Sequence, residues 1–287
     1  MKLGVYSDDL STDFAAAARL AADHGAAGIG VRNVWGRKVT DLEPDEVRQV
    51  RRIAGQHGLE CAAVGSQYGR NLYLDDDEAQ PAAARLLARA IAHAEILGTP
   101  LVRIFALWLH GQDGLPEWSR RPDLASCLGR LVDRLEPSIA MAERAGVTLM
   151  VELEGASYVG QVAEARQLLG RVNSPSLALC WDVANGWWSG ELPWPDGFAA
   201  AQGLAIVDVQ TKDTHADPAR PERAGFDRAV TGEGDIPYAA ILRELAREGY
   251  TGYVTAERVH HPSKPEDHPE LQRASLADLG NLRTMVE

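Results

Sequence analysis

The chain has 287 residues, 45% of them hydrophobic and 24% charged, with 29 Lys+Arg against 41 Asp+Glu for a net charge of −12. This is an ordinary globular composition, long enough to bury a large core without cross-links, and it excludes collagen, coiled coil and disorder as the main organisation. The acidic balance argues against a nucleic-acid scaffold, whose affinity comes from neutralising phosphates, and the longest apolar run, Ile104–Leu109, is too short to span a bilayer.

The N-terminus runs directly into an apolar strand, Leu3–Tyr6, with no basic and apolar leader before it, so a cytoplasmic protein is expected. A helix over Phe14–Asp23 leads to a strand over Ala27–Val31, and a helix over Pro44–Gln56 to a strand over Glu60–Val64. Ala82–Leu97 precedes Leu101–Phe105, Leu124–Ala145 precedes Thr148–Val151, and Val162–Gly170 precedes Leu177–Cys180. Ala205–Val209 is the seventh strand, followed by a helix over Tyr238–Glu248 and the last strand, Gly252–Ala256. The strands are short and apolar on both faces, as in a buried parallel sheet. Gly25, Gly58, Gly98, Gly146 and Gly249 stand where helices need left-handed C-caps. Eight strands with helical connections and a final helix over Pro269–Thr284 predict a single (β/α)8 barrel across residues 1–287. A doubly wound sheet is the alternative, but no GxGxxG follows the first strand. Two long polar segments, Trp108–Pro122 and Lys212–Asp235, follow strands and so belong to the catalytic rim. The cysteines, Cys61, Cys127 and Cys180, lie far apart in or beside apolar runs and read as buried reduced thiols.

The late strands end in chemistry. Strand five ends at Glu152, strand six at Asp182, strand seven runs through Gln210 to Lys212, and strand eight ends at Glu257. Carboxylates at the edge of apolar strands are costly unless paired or bound to a cation. Three of them plus an amide oxygen make a site of hard donors suited to Mg²⁺ or Mn²⁺. The alternative is a set of ion pairs with Arg32, Arg103, Lys212 or Arg258. Lysine is scarce in this chain, occurring only at 2, 38, 212 and 264. Lys212 is therefore read either as an ammonium for a substrate oxyanion or as a partner of Asp213 or Asp182.

Several segments resemble the xylose-isomerase-like barrels, which include sugar-phosphate isomerases and epimerases. The resembling stretches are Ile29-Gly30-Val31-Arg32-Asn33-Val34-Trp35-Gly36 and Arg103-Ile104-Phe105, then Val151-Glu152-Leu153-Glu154 and Trp181-Asp182-Val183-Ala184-Asn185. Lys212-Asp213, Gly232-Glu233-Gly234-Asp235-Ile236 and Ala256-Glu257 complete the set. The resemblance implies Glu152, Asp182 and Glu257 as metal ligands. The fourth ligand in that family is usually a His, and here its position is Gln210. A Gln carbonyl suits Mn²⁺ or Mg²⁺ better than Zn²⁺, so the metal is expected to be one of the former and weakly held.

Glu152 and Glu257, three strands apart around the ring, are the expected proton-transfer pair, with Lys212 beside them. Arg103, His110, Asn185, His215 and Arg258 are the expected substrate contacts. His24, His57 and His93 read as structural, His268 as solvated, and His260 and His261 as either pocket or loop. Trp181, Trp187, Trp188 and Trp194 read as a sugar-stacking surface, core or subunit contact. The expected function is isomerisation or epimerisation of a sugar, sugar phosphate or cyclic polyol through an enediolate. A dehydratase of a keto-inositol, or a metal-free barrel acting as a partner subunit, are the alternatives. A DNA-repair endonuclease of the same superfamily would need several His ligands that the strand ends lack. The partners expected are a small sugar-like molecule and a second copy of the chain, with no nucleic acid and no membrane.

Overall fold

The computed structural model describes residues 1–111, 121–258 and 269–286. The strands are β1 (Lys2–Tyr6), β2 (Gly28–Val31), β3 (Asn33–Val34), β4 (Arg37–Lys38), β5 (Glu60–Gly65), β6 (Leu101–Ile104), β7 (Thr148–Glu152), β8 (Leu177–Asp182), β9 (Ile206–Thr211), β10 (Asp213–Asp217), β11 (Arg220–Ala229) and β12 (Tyr253–Ala256). The helices are α1 (Phe14–Asp23), α2 (Pro44–Gln56), α3 (Gln80–Leu97), α4 (Leu128–Ala145), α5 (Val162–Val172), α6 (Val183–Trp188), α7 (Phe198–Ala201), α8 (Tyr238–Arg247) and α9 (Pro269–Val286). The parallel strands close into a TIM barrel in the order β1-β12-β9-β8-β7-β6-β5-β2, as the sequence predicts.

Local chemistry sets the helix ends. Pro44 opens α2 with its φ preset, and the Glu43 N–H donates to Glu46 Oε2 at 2.8 Å. Gly98 and Gly146 end α3 and α4 with φ of 76° and 66°, a conformation that a Cβ would strain. Each strand splits its side chains between two environments. In β7, Leu149 and Val151 join the main core under the helices, whereas Met150 packs with Cys180 and Ala63 inside the barrel. The same alternation points Glu152 and Asp182 inward, at the carboxyl ends of β7 and β8.

The structure differs from the sequence-based expectation in the Lys212–Asp235 segment. It holds an antiparallel hairpin, β10–β11, rather than an irregular loop. The Trp188 indole N–H donates to Gly225 O at 2.8 Å and that of Trp187 to Glu222 O at 3.2 Å, so α6 fastens the hairpin to the rim. A second short hairpin, β3–β4, follows β2. Residues 112–120 of the other long segment, and His260, His261 and His268, lie outside the described residues. No helix among the described residues is long and apolar enough to cross a membrane.

A cavity of about 880 Å³ opens at the N-terminal ends of the strands, among Lys2, Glu60, Leu101, Ile206 and Tyr253. Its polar groups satisfy one another: Lys2 Nζ lies 2.7 Å from Glu60 Oε2, and the Tyr253 hydroxyl donates to the same oxygen at 2.5 Å. Among the described residues, buried side-chain oxygens without hydrogen-bond partners include those of Asp182, Gln210 and Glu257 at the opposite rim.

Candidate active site

Four adjacent strands supply the site. Glu152 ends β7, Asp182 ends β8, Gln210 lies in β9 in register with Asp182, and Glu257 immediately follows β12. All four are buried. One carboxylate oxygen from each of Glu152, Asp182 and Glu257 lies within 4.8 Å of the others. Asp182 divides its two oxygens. Oδ1 accepts the Asn185 N–H at 2.9 Å and so caps α6, while Oδ2 lies 2.6 Å from Lys212 Nζ in an ion pair.

The ion pairs considered from the sequence are present too. Arg103 Nη1 donates to Glu152 Oε2 at 3.0 Å and stands 3.9 Å from Glu257 Oε1. Lys212 Nζ lies 3.5 Å from Glu257 Oε2. Arg32 bonds Glu257 Oε1 through Nη1, Asp9 through Nη2 at 2.9 Å and Asp8 through Nε at 2.9 Å. These guanidinium contacts need side-chain room. A Cβ at Gly65 would stand 2.8 Å from Arg32 Cβ, and one at Gly30 would stand 2.8 Å from the Tyr6 ring that lies beneath the Arg32 guanidinium.

Within this network five carboxylates (Asp8, Asp9, Glu152, Asp182, Glu257) meet three cations (Arg32, Arg103, Lys212) among the described residues. Burial dominates the proton affinities of these acids. Burial pushes Glu152 up to about 8 against the pull of Arg103, and pushes Asp9 up to about 7 and Asp182 up to about 6. Burial also opposes ionisation of Glu257, but Lys212, Arg32 and Arg103 outweigh it and hold that carboxyl down at about 2. Three buried oxygens of this cluster make no aligned hydrogen bond, Asp182 Oδ2, Gln210 Oε1 and Glu257 Oε2, although Lys212 Nζ stands 2.6 Å from the first and 3.5 Å from the last. Hard oxygen donors from adjacent strands, an unsatisfied amide oxygen and surplus negative charge together fit a divalent cation.

The expected substrate contacts divide. Arg103 and Asn185 stand at the acids; the Asn185 side chain donates to Leu153 O at 2.7 Å. The Arg258 guanidinium turns to Asp278 of α9, at 2.7 and 2.9 Å, while its backbone N–H reaches Asp9 at 3.0 Å. His110 pairs with Asp75 at 2.7 Å and stacks on Tyr73 at 4.1 Å, and His215 faces Asp235 at 3.7 Å; both histidines are exposed on the rim. Trp181 is core, tilted against Phe198, which also meets the half-exposed Trp194.

Sequence reasoning missed Tyr6, Asp8, Asp9, Asp208 and Arg228. Asp208 lies one inward step below Gln210, accepts the Thr255 hydroxyl at 2.7 Å and is pushed up to about 7 by burial. Arg228 of β11 lies over Trp188, 5.0 Å from the ring centre. A lone Asp-Asp pair after the first strand and an Arg in a polar stretch carry no local signal. Only the closure of β1 onto β12 and the folding back of the hairpin reveal them.

Comparison with known proteins agrees with this geometry. The model of the xylose isomerase-like TIM barrel matches residues 18–279. An L-ribulose-5-phosphate 3-epimerase, UlaE, of Escherichia coli O157:H7 is 24% identical over 180 residues, which is 62% of this chain; the chain spans 56% of the length of that relative. Among solved structures, the probable 3-DHS dehydratase AsbF from Bacillus anthracis superposes with a TM-score of 0.74 at 17% identity, covering 99% of both chains. An IolI protein described with a binding zinc atom superposes with a TM-score of 0.73 at 18% identity, covering 100% of this chain and 98% of that one.

Proposed function

The chain belongs to the xylose isomerase-like TIM barrel family, and we propose that it is a divalent-cation-dependent isomerase or epimerase of a sugar, a sugar phosphate or a cyclic polyol. The observation that carries this reading is the trio of carboxylate oxygens within 4.8 Å of one another, with the buried Gln210, whose Oε1 has no partner, in register with Asp182 on the next strand. Glu152, Asp182, Gln210 and Glu257 would hold the cation, and Mn²⁺ or Mg²⁺ suits this all-oxygen set better than Zn²⁺. A cation there would act as a Lewis acid on the substrate carbonyl, acidifying the neighbouring C–H. Glu152 and Glu257 flank the same point and are the acid and base: one removes the proton beside the carbonyl, the other returns it. Lys212 supports the oxyanion that forms between these steps, and Arg103 keeps Glu152 in place. The relative named as an epimerase supports the reaction class.

The test is solvent exchange. Protein supplied with Mn²⁺ is incubated in D₂O with a panel of ketoses, their phosphates and keto-inositols, and each product is read by NMR and mass spectrometry. Deuterium on the carbon beside the carbonyl is expected with at least one member of the panel. Product lacking one water would move the assignment to a dehydratase, which begins with the same proton removal. A panel with no exchange in the presence of Mn²⁺ would overturn the proposal. A metal-free barrel has one observation in its favour, because Arg32, Arg103 and Lys212 already give every acid of the cluster a cationic neighbour. Metal analysis of the protein, purified without chelator, separates that reading from the first.

A further inference from the structure

Asp182 and Glu257 each have one carboxylate oxygen already engaged. Asp182 Oδ1 accepts the Asn185 N–H at 2.9 Å, and Glu257 Oε1 accepts from Arg32. The oxygens that remain, Asp182 Oδ2 and Glu257 Oε2, face one and the same ammonium: Lys212 Nζ lies 2.6 Å from the first and 3.5 Å from the second. No other group among the described residues bonds either oxygen. The ammonium comes from a fixed backbone, because the Tyr238 hydroxyl accepts the Lys212 N–H at 3.1 Å and donates to the Lys212 carbonyl at 2.8 Å. Lys212 is only 6% exposed, so water screens its charge little.

We infer that Lys212 is an internal counter-cation of this site: it holds the free oxygens of Asp182 and Glu257 when no metal is bound, and so limits how tightly a divalent ion binds there. This rests on the cation reading above and adds the group that competes with the ion. Ligand distances for a small divalent cation are about 2 Å, so an ion on Asp182 Oδ2 would stand within roughly 5 Å of the ammonium as now placed. A carboxylate oxygen has lone pairs enough for both, but the two positive charges still repel. If the ammonium stays, it repels the ion; if it withdraws, its buried ion pairs are lost. Either way the ion binds more weakly than the acids alone would hold it. At about 5 Å, a single and a double charge repel by more than about tenfold in affinity even at the dielectric constant of water.

The experiment is calorimetric titration with Mn²⁺ alone, checked by the loss of free-ion electron paramagnetic resonance signal. It uses the full chain as wild type, Lys212→Met and Arg228→Met, with circular dichroism confirming folding. Lys212→Met should bind Mn²⁺ at least about tenfold more tightly than wild type. Arg228→Met controls for net charge. Its guanidinium feels the charge of Asp182 and Glu257 but pairs with neither among the described residues, so its loss should give a clearly smaller gain. Equal Mn²⁺ affinity in wild type and Lys212→Met, or an equal gain in Arg228→Met, would overturn the inference and leave the cation reading intact. If Lys212→Met is unfolded in chelator, Mn²⁺ but not NaCl of equal ionic strength should restore its fold, because an ion that replaces the ammonium restores the balance of charge; failure to restore it overturns the inference. Mn²⁺ bound by neither the wild type nor the variants overturns both readings.

Discussion

Glu257 is the most connected side chain of the site, and that gives it two duties. It is the proposed partner of Glu152 in proton transfer, and it lies against Arg32, Arg103 and Lys212. Glu152→Gln and Glu257→Gln should each lower turnover by roughly 10²–10⁴-fold if they are the acid and base. Their stabilities should differ. Glu152, reluctant to ionise, contacts Arg103 alone, whereas Glu257 is held ionised by three cations, each of which keeps another carboxylate (Asp8 and Asp9 for Arg32, Glu152 for Arg103, Asp182 for Lys212), so Glu257→Gln should cost more, but less than the about 3–5 kcal/mol of a buried pair broken outright. Urea denaturation of the two variants checks the ordering, and equal midpoints would mean the three cations find other partners. Gln210→His should shift preference toward Co²⁺ and Zn²⁺, because imidazole is a softer donor than an amide oxygen. The Tyr6 hydroxyl, now beside Nε2 of Gln210, can take a ring N–H and orient the imidazole. Calorimetry with Mn²⁺ and Co²⁺ reads this; Co²⁺ binding no tighter than in wild type would remove Gln210 from the cation's surroundings.

Element-scale features explain what the sequence reveals and what it conceals. The barrel is legible because β7 and β8 are short apolar runs, and because Gly98 and Gly146 mark helix ends with φ only Gly adopts freely. Glu152, Asp182 and Glu257 are legible because a charge at the end of such a run is conspicuous. The β10–β11 hairpin is not, since Arg220–Ala229 carries three Arg, two acids, a Pro and a Gly and has no apolar alternation. Its anchors are the Trp187 and Trp188 indoles, thirty-odd residues earlier in the chain. Asp8 and Asp9, the further partners of Arg32, are concealed for a similar reason, as their pairing exists only once β1 closes against both β2 and β12. The hairpin also makes a prediction. Trp188→Ala removes both the bond to Gly225 and the surface on which Arg228 lies. The hairpin should loosen and KM rise several-fold, with kcat changed less, because the acids on β7, β8 and β12 keep their places. Steady-state kinetics on the true substrate decides, and a fall in kcat at constant KM would place the hairpin in the chemical step instead.

At the scale of the molecule, the cation and the fold are coupled through charge. The chain carries −12, and five carboxylates of the site network meet three cations among the described residues. With all five acids ionised the folded site carries surplus negative charge, part of which protons on Glu152 and Asp9 relieve, and a divalent cation that binds only the folded form and displaces those protons must stabilise it by mass action. At a hundredfold excess over Kd the gain is about 2.7 kcal/mol. For a chain of this size about 2–4 °C accompanies each kcal/mol, so Mn²⁺ should raise the melting temperature by roughly 5–10 °C. The net charge complicates the reading, because any salt screens a strongly acidic surface and raises stability without a site. Each Mn²⁺ sample therefore needs a NaCl sample of equal ionic strength, and the difference between them is the site's contribution. Chelation should return the midpoint to the NaCl value, and the double variant Asp182→Asn/Glu257→Gln should show no difference to remove. Matching midpoints in Mn²⁺ and NaCl for the wild type would mean that Arg32, Arg103 and Lys212, with protons on the acids that burial makes reluctant to ionise, balance the cluster without a metal.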